Sequence, residues 1–135
     1  MHEEGETWFL KTKTKEWMPD TGEQIVTCYF RCMDNRDLDG MLELFDYDAE
    51  LYEPFSNITG GLKGRSSMEP FFKVAMMANN NLRRTIKIEK TNKPNTIIAL
   101  VTFEKGDRVR SRLTFQIEDD EGGRKKIKSL HIEFL

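Results

Sequence analysis

The chain has 135 residues, a net charge of −2 and about as many acidic as basic side chains. That size suits a single domain with a hydrophobic core of its own, needing no metal or disulfide as a staple, and the composition excludes a disordered chain. No apolar run approaches the roughly 20 residues of a membrane span, and MHEEGETWFL has neither a basic n-region nor an apolar stretch, so a cytoplasmic protein without a secretory signal is expected.

Residues 1–18 read as an arm preceding a single domain over 19–135. Trp8, Phe9 and Trp17 make the arm apolar, so it either adds an edge strand, packs on a partner subunit or stays flexible. Pro19 and Asp20 punctuate the chain. The stretch DTGEQ then offers a capping box, Asp20 to Glu23 or Thr21 to Gln24, that starts a helix. Ile25, Cys28, Tyr29, Cys32 and Met33 follow at helical spacing and share the expected buried stripe. The two cysteines are expected to be reduced core thiols. Asp37 caps a second, short helix, LDGMLELF, with Leu38, Met41, Leu42 and Phe45 turned inward.

DYDAELYEPF reads as a strand with Ala49, Leu51 and Glu53 on one side and Glu50 and Tyr52 on the other, closed by Pro54. SNITGGLKGRSS is glycine-rich and reads as a loop. Ser66 or Ser67 is expected to cap a third helix reaching about Asn79, with Glu69 and Pro70 tolerated in its first turn. From Leu82 the apolar period changes from helical to two. Four strands follow, separated by turns at Asn92–Asn95, Gly106-Asp107 and DDEGG. Ile86, Ile88, Ala99, Val101, Phe103, Val109, Leu113, Phe115, Ile117, Leu130, Ile132 and Phe134 fall on one face. Lys87, Thr102, Arg110, Arg112, Gln116, Ser129, His131 and Glu133 fall on the other. The fold class is therefore α+β, with three N-terminal helices grouped on one face of an antiparallel meander.

Several chemistries lack their signals. There is no GxxxxGK[ST] and no GxGxxG, so no nucleotide cradle is expected. Asp34, Asp37 and Asp39 read as a turn and a cap rather than a metal site, and two cysteines with two distant histidines do not make one. Basic residues dominate after Asn81, but without interleaved aromatics they do not form a nucleic-acid platform. Asn57-Ile58-Thr59 spells a glycosylation sequon, which has no meaning without secretion. His131 belongs to the outer face with Arg110 and Arg112, as a surface or interface histidine.

The stretches CYFRCMDNRDLDGMLELFDYDAELYEP and GLKGRSSMEPFF, followed by the long meander, resemble the nuclear transport factor 2-like superfamily. This is the cystatin-like cone fold that includes SnoaL-like polyketide cyclases, scytalone dehydratase and ketosteroid isomerases. The resemblance covers about Glu23 to Leu135 and rests most on N-x-D-L-D-G-M-L-E-L-F and G-x-x-x-M-x-x-F-F. It implies three helices in the concave face of a curved sheet, a pocket, a homodimer through the outer face (Arg110, Arg112, Gln116, His131), no metal and no cofactor. Matched to ketosteroid isomerases, it implies Tyr29 as hydrogen-bond donor to a substrate oxygen and Glu53, before Pro54, as general base. The isomerases' second acid has no counterpart, since the inward positions on that strand are Leu113, Phe115 and Ile117.

The expected pocket wall is Met33, Leu51, Phe55, Met68, Phe72, Leu113, Phe115, Ile132 and Phe134. The implied function is a small-molecule-pocket protein, either a cofactor-free isomerase, cyclase or dehydratase acting on a small apolar carbonyl compound, or a non-catalytic ligand-binding or protein-interaction dimer of the same fold. The many Met and Phe side chains favour a small or apolar cavity.

Overall fold

The computed structural model of the chain describes residues 21–55, 60–79, 82–105 and 107–135. The expected arm and the Asn57-Ile58-Thr59 sequon lie outside them. Helix α1 (Gly22–Asn35) opens on the capping box formed by Thr21 and Gln24, in which the Thr21 hydroxyl accepts the Gln24 N–H at 3.1 Å and the Gln24 side chain accepts the Thr21 N–H at 3.2 Å. Arg36 ends it in the left-handed region, at φ 53. Asp37 then caps α2 (Leu38–Glu43) by accepting the Gly40 N–H at 2.9 Å.

Strand β1 (Phe45–Tyr52) is followed by β2 (Leu62–Lys63) and by α3 (Arg65–Ala78). The meander is β3 (Arg83–Lys90), β4 (Thr96–Lys105), β5 (Asp107–Asp119) and β6 (Lys125–Phe134). All six strands form one curved sheet in the order β2-β1-β6-β5-β4-β3, with the three helices packed on one side, as expected for the α+β cone. The sheet is not wholly antiparallel, because β1 joins β6 in parallel.

Two local expectations change. The glycine-rich segment contains β2, which pairs with β1 through Glu50–Lys63 and Leu51–Leu62. Gly64, not Ser66 or Ser67, precedes the first turn of α3. Its φ of 84 lies where only glycine is comfortable, and its N–H bonds the Ala49 carbonyl at 2.8 Å. The chain is thus tied to β1 just before the helix begins.

The core lies between the helices and the concave face. In α1 the buried residues are Ile25, Val26, Tyr29, Phe30 and Met33. The stripe is rotated from the expected one, leaving Cys28 and Cys32 half-buried on its flank as free thiols. Burial, followed by the nearby Asp37 and Cys28, pushes the Cys32 thiol up to about 11. In β6, Ile127 and Leu130 are both fully buried although three residues apart. A bulge explains this: Gln116 faces Ser129 while Ile117 faces Ile127, and the extra residue, Lys128, turns to Asp46 at 3.0 Å and Asp48 at 3.4 Å. No helix among the described residues is long and apolar enough to cross a membrane.

Candidate functional site

Cross-strand register divides the concave face into rows along the cone. Ile97, Phe115, Leu130 and Leu51 form a fully packed row across β4, β5, β6 and β1. Towards the open end come Ile88, Ala99, Leu113 and Ile132, then Ile86, Val101, Ser111 and Phe134. Arg84, Phe103 and Val109 form the last row. The inner rows meet α1 and α3 closely. Nearer the open end the helices and sheet diverge around a cavity of about 90 Å³.

Tyr29, Phe30 and Met33 of α1, Phe71 and Ala75 of α3 and its C-cap Asn79 line one side of this cavity. Arg84, Val101, Phe103, Ser111 and Leu113 line the other. Phe55, Ile132 and Phe134 complete the wall. Phe55 is 67% exposed, and its ring meets Phe134 edge-on at 5.2 Å and Phe71 at 6.4 Å. The mouth is therefore aromatic and partly covered.

Few polar groups reach this apolar space. Tyr29 is 2% exposed and Ser111 is 3% exposed, and neither hydroxyl has a hydrogen-bond partner among the described residues. Buried hydroxyls are normally satisfied, so two bare ones in one cavity wall are unusual. Burial pushes the Tyr29 phenol well above its ordinary value, with the Arg84 charge pulling the other way. The Arg84 side chain is 8% exposed; its Nη2 lies 2.6 Å from Asp34 Oδ1 and donates to the Phe30 carbonyl at 3.4 Å. The Asn79 amide is occupied by the Ala75 carbonyl at 2.7 Å.

Among the residues expected at the site, Tyr29, Met33, Phe55, Leu113, Ile132 and Phe134 line the cavity. Leu51, Met68, Phe72 and Phe115 do not: they are fully buried in the packed end of the cone, where Tyr29 stacks edge-on against Phe72 and Phe115. Glu53 is half-buried just beyond β1 and is not among the lining residues. Its Oε2 accepts the Phe55 N–H at 2.7 Å. Arg65 donates to the Phe45 carbonyl, approaches Glu43 at 3.7 Å and lies over the Tyr47 ring.

His131 is exposed on the outer face and stacks on Tyr52 at 4.2 Å. Asp34 is the ion-pair partner of Arg84, and Asp37 is a cap. Arg84 and Ser111 were not expected as site residues. The available signal was their position: Arg84 shares the period-two row of Ile86 and Ile88, and Ser111 that of Val109 and Leu113. Each places a polar group on an apolar face.

No protein-family model and no curated protein matches the sequence. Solved structures match its fold. Rv0760c of Mycobacterium tuberculosis is 21% identical, with a TM-score of 0.60 over 82% of this chain and 93% of its own; it has also been solved in complex with estradiol-17β-hemisuccinate. An NTF2-like protein of unknown function from Cytophaga hutchinsonii is 12% identical, with a TM-score of 0.60 over 87% of this chain and 93% of its own. SalBIII, an epoxide hydrolase/cyclase-like enzyme in pyran ring formation in the polyether salinomycin, is 17% identical, with a TM-score of 0.62 over 84% of this chain and 89% of its own.

Proposed function

We propose that this chain, whose fold is the nuclear transport factor 2-like cone, is a small-molecule-pocket protein that admits an apolar ligand between α1, α3 and the sheet. The observation that carries the reading is the Tyr29 hydroxyl, buried without a partner among the described residues beside a largely apolar cavity. Sites of this kind combine apolar walls with a few convergent polar groups. The steroid-ester complex of Rv0760c and the cyclase-like activity of SalBIII support a pocket role for the fold. A thermal-shift screen of small apolar carbonyl and aromatic compounds tests it, since binding raises the midpoint by mass action. Ala75→Leu, which fills the cavity wall, should abolish any shift. A screen without hits, or hits that persist in that variant, would sink the reading.

A second reading is cofactor-free isomerase, cyclase or dehydratase chemistry with Glu53 as base and Tyr29 as donor. Its support is the bond from the Phe55 N–H to Glu53, which fixes the carboxylate two residues from a ring at the cavity mouth. A positioned carboxylate can take a proton from the carbon beside a carbonyl, and a buried phenol can stabilise the resulting enolate. Deuterium exchange into the α-carbon of small ketones, followed by NMR, tests this. Glu53→Gln and Tyr29→Phe should each stop the exchange, and exchange at the wild-type rate in either variant would exclude it. A homodimer through the outer face is proposed with both readings. That face carries Arg110, Arg112, Gln116 and the Tyr52–His131 stack, with half-buried Ile98 and Leu100 among them. A monomeric mass in light scattering would rule the dimer out.

A further inference from the structure

The polar groups of the cavity also indicate which ligand chemistry it takes. A guanidinium has five N–H donors. Among the described residues, the acceptors for Arg84 are Asp34 Oδ1 and the Phe30 carbonyl, and both are reached from Nη2. Nε and Nη1 therefore keep unfilled donors on a side chain that is almost wholly buried. Arg84 is also the one ionised residue among the described lining residues. Asp34 neutralises it only in part, because the Asp34 side chain is 58% exposed and water screens it. The hydroxyls of Ser111 and Tyr29 can both donate towards an anion, and no carboxylate is among the described lining residues to repel one.

We infer that the cavity is built for a small apolar molecule bearing a carboxylate, held by the Arg84 guanidinium with the Ser111 and Tyr29 hydroxyls as additional donors. This rests on the pocket reading above. A planar guanidinium matches a carboxylate in shape as well as charge, and such bonds are shorter and stronger than neutral ones. A neutral carbonyl would leave half-exposed Asp34 as the guanidinium's one anionic partner among the described residues. The cavity, at about 90 Å³, is well below the usual ligand-pocket range of roughly 300–1,000 Å³. The fitting molecules are acids of a few carbons or a single ring, with the Phe55 ring moving to admit the larger ones.

Isothermal titration of the full chain at pH 7 with butyrate and benzoate, against butyramide and benzamide, tests the inference. The acids should bind about tenfold or more tightly than the matching amides. In Arg84→Gln the preference should fall close to onefold, and in Ser111→Ala acid binding should weaken several-fold while amide binding changes little. Where Arg84→Gln does not fold by circular dichroism, Arg84→Lys, which keeps the charge but loses the planar fork, and Ser111→Ala decide: an acid preference reduced several-fold in both supports the inference, and a preference unchanged in either overturns it. Amides that bind as well as acids, or a preference unchanged in folded Arg84→Gln, overturn it while leaving the pocket reading intact. Failure of all four compounds to bind overturns both.

Discussion

Arg84 Nη2 stands 2.6 Å from Asp34 Oδ1, and this ion pair fastens the first strand of the meander to the last turn of α1. Its members are unequal, since the arginine is buried and the aspartate largely in water. The Arg84 guanidinium also sits 5.4 Å from the Phe30 ring, adding a cation–π contact on the same helix. The pair thus ties α1 to β3 beside the cavity.

Asp34→Ala leaves the buried guanidinium with the Phe30 carbonyl as its remaining acceptor among the described residues. An exposed pair is worth under about 1 kcal/mol, and breaking a buried one costs about 3–5 kcal/mol. This half-buried pair should fall between, at about 1–2 kcal/mol, read as a lower denaturant midpoint with an unchanged slope.

Tyr29→Phe removes a buried hydroxyl that has no partner among the described residues, so no hydrogen bond to them is lost. Stability should hold or rise by up to about 1 kcal/mol, in contrast to the usual cost of changing a core tyrosine. Because the folded chain holds this phenol above its ordinary value, its neutral form contributes stability complete below pH about 10 and lost as pH rises further. Ultraviolet titration should show this tyrosine ionising only with unfolding.

The Asp46–Lys128 pair links β1 to the β6 bulge and should shape the pH profile. The Lys128 hydrogen bond, aided by the Tyr47 N–H against some burial, holds Asp46 below its ordinary value. Its contribution is complete above the unfolded value of about 4 and fades as pH falls through the folded one. The Asp46 hydrogen bond correspondingly raises Lys128, whose contribution is complete below about 10.4 and lost as pH rises through its folded value. Solvent screening keeps the pair under about 1 kcal/mol. Asp46→Asn should flatten the acid limb of the stability curve by no more than that.

Phe55→Ala should open the cavity mouth. The ring is mostly in water, so the loss of its Phe71 and Phe134 contacts should cost under about 1 kcal/mol. Ligands larger than benzoate should then associate faster, measured by stopped-flow fluorescence.

Much of the fold was legible along the chain because its causes are local. The Thr21–Gln24 box and the Asp37 cap satisfy helix-end N–H groups from residues three positions away. Alternation assigned Ala99, Leu113, Phe115 and Leu130 to the buried face, because successive strand residues point to opposite sides. The parallel β1–β6 pairing joins strands about 80 residues apart, and the bulge at Lys128 is a shift in the β5–β6 register, so the alternation of either strand alone revealed neither. Gly64 was hidden for another reason: two serines beside it are ordinarily better caps, but its backbone bond to Ala49 took precedence.

The sequence alone carried the α+β class, the buried face of the sheet and the burial of Tyr29. It did so because periodicity and capping are written in neighbouring residues. Depth along the cone was decided by the tertiary structure. Leu51, Met68, Phe72 and Phe115 share the inward direction of Met33 and Leu113, yet they fill the packed end while the latter line a cavity. Only cross-strand register and the positions of α1 and α3 separate the two groups, and the same geometry brings Arg84 and Ser111 to the wall beside Tyr29.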